Sequence, residues 1–382
     1  MPIRNWAPDA VGEVLVQAAN LSRLPFAIHH IALMPDAHVG YGMPIGGVLF
    51  ADGAVVPYGI GVDIGCGVAL ATTDVTVEQL THGTLERVLG EIERRVPTGT
   101  KSHTRRIDRG RAEADIGRPP PPSIAEQWFA RALQQLGTLG SGNHFLELQR
   151  DDAGAVYVML HSGSRSLGKA ICDAFHRRAL ATNASSGVAL PHRDLAYLAA
   201  DGADGRDYWS AMEYALRFAE VNRQRMLDQV QIAFERHTTI GRFDRRVDVH
   251  HNYAARERHF GRDGIVHRKG AVRARVGETV LIPGSMGTAS YVAEGLGNPD
   301  AFESCQHGAG RAMSRGAARK AMSSAELLRQ MDRLGVKLFS GEPRSAAEEA
   351  PMAYKDIETV MARSADLVRP VTRLTPLGVV KG

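Results

Sequence analysis

The segment Gly61–Gly67 reads Gly-Val-Asp-Ile-Gly-Cys-Gly and runs directly into the aliphatic stretch Val68–Ala71. A short aliphatic run bounded by glycines is typical of a buried strand that ends in a tight turn. In that turn Asp63 and Cys66 stand three residues apart, so that both side chains can face one ion. A cysteine in this setting can bind a metal as its thiolate, although a buried small cysteine beside a turn-capping aspartate is the commoner arrangement. The segment therefore predicts a strand end that carries a candidate site.

The same combination of glycine clusters and aliphatic runs recurs along the chain, which has 40 glycines in 382 residues. Further buried strands are predicted at Gly47–Ala51, Val156–Leu160 and Thr279–Ile282. Helical patterns cover Thr76–Val96, Tyr208–Phe234 and Ser323–Leu334, and a capping-box pattern of Ser123 and Glu126 accompanies the apolar positions Ile124, Trp128, Ala132 and Leu136. Strands and helices interleave without a regular βαβ rhythm. We therefore expect an α+β fold, a single compact domain over 1–382 with a mixed β-sheet core flanked by helices.

Composition excludes several classes of protein. Apolar residues make up 44% and charged residues 23% of the chain, which is ordinary for a globular protein. Three cysteines are too few for a disulfide scaffold, and no apolar run approaches the length of a membrane helix. We expect a cytoplasmic protein with no membrane partner. The net charge of +4, from 46 Lys and Arg against 42 Asp and Glu, is too small to prove a nucleic-acid partner.

Two segments differ from the rest in composition. Arg94–Arg118 carries eight Lys and Arg residues and leads into Pro119–Pro122, so we expect a basic surface excursion near 94–122. Such a run can grip a polyanion or can simply be a solvated linker, and charge alone leaves both open. The second segment, Ala181–Pro191, is rich in Ala, Ser and Gly and is predicted to be a surface loop.

Histidines stand in four further glycine-flanked or aromatic-flanked motifs. These are Gly142–Phe145 around His144, His161–Arg165, His250–Tyr253 around His251, and Cys305–Arg311 around His307. Each histidine taken alone is more often a cap or a core residue than a ligand. Together, the aspartate, the cysteine and three histidines supply enough ligands for two metal ions, which is a known arrangement for holding a phosphoryl group in line. The residues therefore indicate phosphoryl or nucleotidyl chemistry without naming the reaction.

The motifs as a set resemble the RtcB family of RNA-splicing ligases, in the order of that family and from about residue 30 to the end. They are Met34–Gly42, Asp63–Gly67, Gly142–Phe145, His161–Arg165, His250–Tyr253, Pro283–Gly287, His307–Arg311, Met352–Asp356 and Val380–Gly382. The resemblance implies a GTP- and Mn²⁺-dependent ligase that joins RNA 2′,3′-cyclic phosphate or 3′-phosphate ends to 5′-hydroxyl ends, in tRNA splicing or RNA repair. It also implies RNA as the partner and allows an activator of the archease type.

The resemblance implies roles for particular residues. His307 would be the nucleophile that forms a histidine–GMP adduct, and Cys66 would be shared between two Mn²⁺ ions. The other metal ligands implied are Asp63, His144, His161 and His251. The GTP-binding residues implied are Asn143, His144, Phe145, Leu146, Glu147, His251, Asn252, Pro283, Gly284, Ser285, Met286, Ser290, His307, Gly308, Ala309, Gly310, Tyr354 and Lys381.

Residue chemistry agrees with these roles. A carboxylate such as Glu147 suits the N1–H and the amine of guanine, and the ring of Tyr354 can pack on the base. Arg165 and Arg311 are candidates to hold an RNA phosphate. Given the resemblance, we also expect the basic run 94–118 to bind RNA. Thiolate and imidazole ligands by themselves favour zinc, so manganese rests on the resemblance.

Two alternatives stay open at this stage. A two-metal phosphatase or nuclease would use the same ligands but would need neither His307 nor a GTP pocket. A non-catalytic RNA-end-binding relative would keep the fold and lose the chemistry, although loss of ligands is the usual first sign and none is missing here.

Overall fold

The computed structural model describes residues 1–238, 242–341 and 343–382. These residues form 17 strands and 11 α-helices. The strands are β1 (Ile3–Asn5), β2 (Ala27–His38), β3 (Ile45–Ala51), β4 (Ala54–Val55), β5 (Gly67–Thr76), β6 (Phe145–Arg150), β7 (Ala155–Ser162), β8 (Leu198–Ala199), β9 (Phe243–His250), β10 (Asn252–His259), β11 (Arg262–Lys269), β12 (Ala271–Arg273), β13 (Thr279–Ile282), β14 (Ser290–Gly295), β15 (Ser304–Gln306), β16 (Lys337–Ser340) and β17 (Val368–Lys381). The helices are α1 (Glu13–Leu21), α2 (Pro57–Ile60), α3 (His82–Arg95), α4 (Arg109–Ile116), α5 (Glu126–Gln135), α6 (Ser166–Ser185), α7 (Ala203–His237), α8 (Arg315–Ala321), α9 (Ser324–Arg333), α10 (Pro343–Ala347) and α11 (Ile357–Arg363).

An eight-stranded sheet gathers the predicted site at one of its ends. Its order is β13-β14-β17-β6-β7-β5-β9, with β16 beside β17, and every pair except β16 with β17 is antiparallel. Gly67 at the start of β5 pairs with Ser162 at the end of β7 and with His250 at the end of β9. Phe145 at the start of β6 pairs with His161 and with Lys381 at the end of β17. Strand ends from five segments that are far apart in sequence therefore lie side by side at one end of the sheet, which we call the site edge. They belong to β5, β6, β7, β9 and β17.

Helices cover both faces of this sheet. Successive residues of a strand point to opposite faces, so Ala69 and Ala71 pack with α7 and α3, whereas Val68 and Leu70 pack with Met331 of α9. The α+β expectation of a mixed sheet core flanked by helices is confirmed. In the described part of the chain, no helix has both the length and the apolar character that are needed to cross a membrane.

A second, five-stranded sheet faces the same site. Its order is β1-β2-β3-β11-β10, and β12 pairs with β15 alongside it. The pairing of Ala271 with Gln306 in β12 and β15 brings the next residue, His307, to this edge. Met34 of β2 and Val266 of β11 pack with Ile282 of β13, so the two sheets share an apolar core.

The predicted strands and helices are present in the structure, and their largest boundary differences concern β5, α3, α6 and α7, which begins at Ala203 and not at Tyr208. The strand β5 continues to Thr76 because Val75 is buried, so α3 begins only at His82, where Thr81 caps it. The helical residues Ala181–Ser185 extend α6, because Asn183 is buried and bonds both backbone groups of Tyr197. The predicted loop is therefore confined to the residues after Ser185.

The predicted capping box at Ser123 is wrong. Helix α5 begins at Glu126, its N-cap is Ala125, and no side chain caps it. Before the helix the N–H of Ile124 donates to the carbonyl of Pro121, in a turn that buries the Ile124 side chain. The free energy gained by this burial exceeds that of a capping hydrogen bond from Ser123. Within the described residues, a capping box is formed by Ser323 and Glu326 at the start of α9.

A buried arginine ties α7 to the site edge. The Arg223 guanidinium donates to both carboxylate oxygens of Asp248, at 2.8 and 2.5 Å, and to the carbonyl oxygens of Gly65 and Ser162, at 2.9 and 2.8 Å. Gly65 immediately precedes Cys66, and Ser162 immediately follows His161. One fully buried cation therefore connects the two backbone segments that carry these side chains.

We expect Arg223→Met to lower the free energy of unfolding by about 3–5 kcal/mol, because Asp248 would keep a buried charge without its partner. The matched control is Arg225→Met on the same helix, whose ion pair with Asp115 lies nearer the surface and is worth at most about 1 kcal/mol. Urea unfolding followed by circular dichroism measures both. Equal losses in the two variants would contradict the role given to Arg223.

Candidate metal and nucleotide site

Two groups of potential metal ligands share one cysteine. Cys66 forms the first group with His161 and His251 and the second with Asp63 and His144, and the ligand atoms of each group lie within 4.8 Å of one another. Cys66 Sγ is 3.2 Å from His161 Nε2 and 3.5 Å from His144 Nε2. His161 Nε2 is 3.3 Å from His251 Nε2, and His144 Nε2 is 3.1 Å from Asp63 Oδ2. This geometry suits two ions bridged by a thiolate.

Backbone contacts orient two of the histidines. His144 Nδ1 lies 3.0 Å from the carbonyl oxygen of Leu139, and His161 Nδ1 lies 3.2 Å from that of Asn143. A carbonyl accepts the Nδ1 proton, so that Nε2 keeps its lone pair and points at Cys66. Metal-binding histidines are typically held in this way.

Unsatisfied atoms test whether this group of residues fits a metal. Asp63 Oδ1 and His251 Nδ1 are buried, and neither makes a hydrogen bond with the described residues. Burial raises the pKa of the Cys66 thiol well above its usual range, and the carboxylate of Asp63 adds to the effect. Burial also lowers the pKa of His161 and of His251, so both imidazoles are neutral. Neutral imidazoles, a carboxylate and a thiol that a cation would ionise form a donor set that fits divalent metals.

His307 lies beside these ligands with a carboxylate behind it. Its ring centroid is 4.7 Å from that of His251, and its Nδ1 is 2.6 Å from Asp36 Oδ2, without the alignment of a hydrogen bond. Its backbone N–H donates to the same oxygen at 3.2 Å. Asp36 is fully buried near the end of β2. With Nδ1 turned to Asp36, Nε2 is the nitrogen that remains for chemistry.

Asp36 is a functional candidate that the sequence analysis missed. It was quoted only as part of the motif Met34–Gly42, with no role. The sequence does contain a signal for it, since Asp36 is the one charged residue in the stretch Ile31–Ala37. A carboxylate in a buried strand rarely lacks a partner.

One cavity of about 1120 Å³ joins the metal groups, His307 and most of the predicted GTP-binding residues. Its lining includes Asn143, Phe145, Glu147, His251, Asn252, Pro283, Gly284, Ser285, Met286, His307, Gly308, Ala309, Gly310, Tyr354 and Lys381. The cavity lining leaves out His144, Leu146 and Ser290. Leu146 alternates with its neighbours on β6, so its side chain packs in the apolar core, and Ser290 is buried behind Gly284, whose N–H it accepts at 3.2 Å.

Hydrogen bonds fix several ionisable side chains that line this cavity. Burial raises the pKa of Glu147 to about 7, while a hydrogen bond from Gln149 at 2.7 Å and the charge of Lys381 oppose the rise. Lys381 Nζ donates to the carbonyl oxygen of Gly142 at 3.0 Å. Tyr354 donates its hydroxyl to Glu349, a buried carboxylate to which the sequence analysis gave no role. These contacts hold the side chains in place around an open space.

The comparison with known proteins decides the family. Residues 17–117 and 104–382 match the family model for tRNA-splicing ligase RtcB. The chain belongs to the RtcB family. The RNA-splicing ligase RtcB of Escherichia coli K12 is 37% identical over 409 residues, which cover 100% of this chain and 97% of that protein. The tRNA-splicing ligase RtcB of Thermococcus kodakarensis is 35% identical, covering 100% and 95%, and the RNA-splicing ligase RtcB of Mycobacterium tuberculosis is 35% identical, covering 96% and 100%.

Membership in a family of RNA ligases confirms the resemblance that the motifs predicted, and assigns the chain to that class of enzyme. The particular roles of the residues stay predictions. The geometry brings all five predicted ligands together and sets His307 beside them.

The two predicted RNA-phosphate arginines differ in their surroundings. Arg165 has a left-handed φ of 59°, a strained conformation that often marks functional sites, and its Nε donates to Thr138 at 3.2 Å. Burial lowers the pKa of Arg165, while the charges of Asp63 and Cys66 oppose the change. Arg311 instead donates to Glu349 at 3.0 Å and to two backbone carbonyls. The Arg165 side chain therefore has fewer hydrogen-bond partners among the described residues than that of Arg311.

The basic run 94–118 divides into paired and unpaired residues. Arg94 and Arg95 bond Glu91, and Arg109 bonds Glu113 and Glu126. The exposed Lys101, Arg105 and Arg106 make no side-chain hydrogen bond or ion pair with a described residue. Their segment is fastened beside the site, because the N–H of Gly99 donates to the carbonyl of Gly140 at 2.8 Å.

A third group of possible ligands has a structural explanation. Glu257, His259 and Glu303 cluster in and beside the five-stranded sheet. Arg268 bonds both oxygens of Glu257, at 2.6 and 3.0 Å, and Arg275 bonds Glu303 at 2.9 Å. These pairs neutralise the carboxylates, so the group needs no ion.

Substitution of single ligands is expected to change the number of ions bound. Titration with Mn²⁺ or Zn²⁺ in a calorimeter should give two ions per chain, one after Asp63→Ala or His251→Ala, and none at comparable affinity after Cys66→Ala. The reason is that only Cys66 belongs to both groups. His82→Ala, which removes an exposed histidine outside the site, is the control. Loss of a single ion in Cys66→Ala would contradict a shared thiolate.

Proposed function

We propose that the chain is a GTP- and manganese-dependent RNA ligase, which joins 2′,3′-cyclic phosphate or 3′-phosphate ends to 5′-hydroxyl ends through a GMP adduct on His307. The observation that carries the proposal is the position of His307 in the cavity. One side of its ring meets the buried carboxylate of Asp36, and the ring lies 4.7 Å from that of a predicted metal ligand, His251. Family membership supports the ligase class, and the cofactors, the RNA ends and the covalent step are proposed.

The residues that would hold the metal ions are the two groups joined by Cys66. Divalent ions there would offset the negative charge of a triphosphate and of the RNA phosphates. Manganese is proposed from the family resemblance, because the ligand types alone also suit zinc.

His307 is proposed to attack the α-phosphorus of GTP through Nε2. A bond forms between Nε2 and phosphorus, the bond to the β-phosphate oxygen breaks, and pyrophosphate leaves. Asp36 holds Nδ1 and offsets the positive charge that the ring gains during attack. Asp36 is a positioning residue for this step.

The guanine of GTP is proposed to lie near Glu147, Tyr354 and Lys381. The Glu147 carboxylate can accept hydrogen bonds from the N1–H and the amine of guanine, which adenine does not offer in this pattern. Phe145 and Met286 supply apolar surface in the same cavity. The backbone turn Pro283–Met286 borders this part of the cavity.

RNA enters the proposed reaction after the adduct has formed. The RNA 3′-phosphate attacks the phosphorus of the adduct and releases His307, and the 5′-hydroxyl then displaces GMP to make the phosphodiester. A cyclic end must first be opened by water. Arg165 is proposed to hold the RNA phosphate, and the unpaired cations Lys101, Arg105 and Arg106 to attract the RNA backbone.

The rival enzyme class is less well supported. A two-metal phosphatase or nuclease that works without a covalent step has no use for a nucleophilic histidine backed by a buried carboxylate, or for a cavity that extends from the metal groups to Glu147 and Lys381. A non-catalytic relative is disfavoured because all five ligands and His307 are present. In the cell we propose action on cytoplasmic RNA in tRNA splicing or repair, with an archease-type activator as a possible partner.

Labelling with α-³²P GTP in the presence of Mn²⁺ tests the covalent step. We expect label on the protein that acid removes and alkali does not, as for a phosphoramidate, and none on His307→Ala. Asp36→Asn should slow labelling roughly a hundredfold or more, because the ring loses its orientation and its countercharge. His82→Ala should label normally. The absence of label with every divalent metal, or label that persists in His307→Ala, would overturn the proposal.

Guanine nucleotide affinity is expected to depend on pH through Glu147. With a pKa of about 7, this carboxyl is mostly neutral at pH 6 and ionised at pH 8, and only the carboxylate accepts both guanine hydrogen bonds. GDP measured without divalent metal should therefore bind more tightly as pH rises, by at most about tenfold per pH unit. Glu147→Gln should flatten the profile. A slope that survives this substitution would contradict the role given to Glu147.

A further inference from the structure

An exposed tyrosine stands at the cavity rim without a function in the proposed reaction. Tyr41 lines the same cavity as His307 and Cys66, yet this residue is 67% exposed. Its hydroxyl makes no hydrogen bond with any residue that the structure describes. The neighbouring Val39 is also exposed. An open apolar surface at the mouth of a cavity that also holds charged groups is a mark of a binding surface.

Hydrogen bonds from buried side chains hold the backbone around Tyr41, whereas its ring is exposed. Lys269 Nζ donates to the carbonyl oxygen of Tyr41 at 2.6 Å and to that of Tyr58 at 3.0 Å. Gln17 holds the preceding residue, Gly40, at both its N–H and its carbonyl. Gly42 follows with φ +70°, packed so closely on Asp194 that a Cβ atom would lie 2.8 Å from its carbonyl oxygen. The ring of Tyr41 has a tilted contact with that of Tyr58, with centroids 6.5 Å apart, and is otherwise presented to solvent from a rigid support.

The rigid support includes an uncommon contribution from Lys269. This lysine is buried, and burial lowers its pKa to about 8. Its described hydrogen-bond partners are backbone carbonyls, so a buried cation is used to hold the loops of Tyr41 and Tyr58 together. Tyr58 belongs to α2, which ends at Ile60, directly before the segment Gly61–Gly67. The position of the Tyr41 ring is thereby tied to the metal groups.

The location of Tyr41 separates it from the proposed guanine pocket. Tyr41 comes from the connection between β2 and β3 in the five-stranded sheet, whereas Phe145, Glu147 and Lys381 come from the eight-stranded sheet. GMP on His307 would thus leave the Tyr41 side of the cavity open. The other reactant that must reach this cavity is an RNA end.

We propose that Tyr41 is a stacking platform for a nucleobase of the RNA strand whose 3′-phosphate is held at the metal groups. The inference rests on the proposed function and adds a base-binding subsite to it. Single-stranded RNA ends offer unstacked bases, and an aromatic ring accepts any of the four without reading the sequence. Preorganisation lowers the entropic cost of binding, since the loop is already fixed before RNA arrives. A base on the ring would also cover the exposed apolar surface.

The test uses a short RNA with a 3′-phosphate and 2-aminopurine as its last base, whose fluorescence falls on stacking. We expect quenching on the unsubstituted protein, little quenching with Tyr41→Ala, and RNA binding weakened about five- to a hundredfold. Tyr41→Phe and Tyr41→Trp should keep both, because they keep a ring. Phe260→Ala removes an exposed aromatic outside the cavity lining and is the matched control.

The outcomes separate this inference from the proposed function. Equal quenching in Tyr41→Ala, or absence of RNA binding by the unsubstituted protein, would overturn the platform. Unchanged RNA binding with loss of binding to a protein activator would also overturn it and would assign the ring to a protein interface. Labelling of the unsubstituted protein by GTP reports the proposed function separately. Quenching that depends on Tyr41 in a protein that takes no label would support the platform and count against the ligase chemistry.

Discussion

The antiparallel pairing of β5 between β7 and β9 is the constraint on which the site depends. Because the register sets Gly67 opposite both Ser162 and His250, the residues just beyond these strand ends must meet. Cys66 directly precedes β5, His161 is the second-last residue of β7, and His251 directly follows β9. A shift of one residue in either pairing would turn the side chains to the other face and separate the ligands. The backbone ladder therefore sets the ligand geometry before any ion binds.

Buried charges fasten this edge to the rest of the molecule. Arg223 joins α7 to the carbonyls beside Cys66 and His161, and Lys269 joins the loops of Tyr41 and Tyr58. Each cation loses hydration when it is buried, and several hydrogen bonds to fixed acceptors offset that loss. The benefit is a site whose walls are positioned by contacts outside the ligands themselves. Asp36 is likewise buried, with its Oδ2 turned to the ring and the backbone N–H of His307.

Local patterns were sufficient for much of the fold and failed where burial competes with them. The long helix α7 and the strands β3, β7 and β13 follow directly from periodicity and from glycines at their ends. Ser123 fitted a capping box by sequence, but burial of Ile124 delays the helix to Glu126. The arginines of the basic run looked alike in sequence. Only their carboxylate neighbours, some of them from other helices, distinguish Arg109 from Arg105.

The sequence by itself determined the family and the identities of the candidate ligands, because each motif is several residues long and keeps its chemistry without reference to its neighbours in space. It also indicated an α+β core from the positions of glycines and aliphatic runs. Only the tertiary structure decided where side chains lie relative to one another: Cys66 between two ligand groups, Asp36 behind His307, and an exposed Tyr41 ring at the rim. The physical reason is that strand register and burial act between segments far apart along the chain, and no local pattern records those distances.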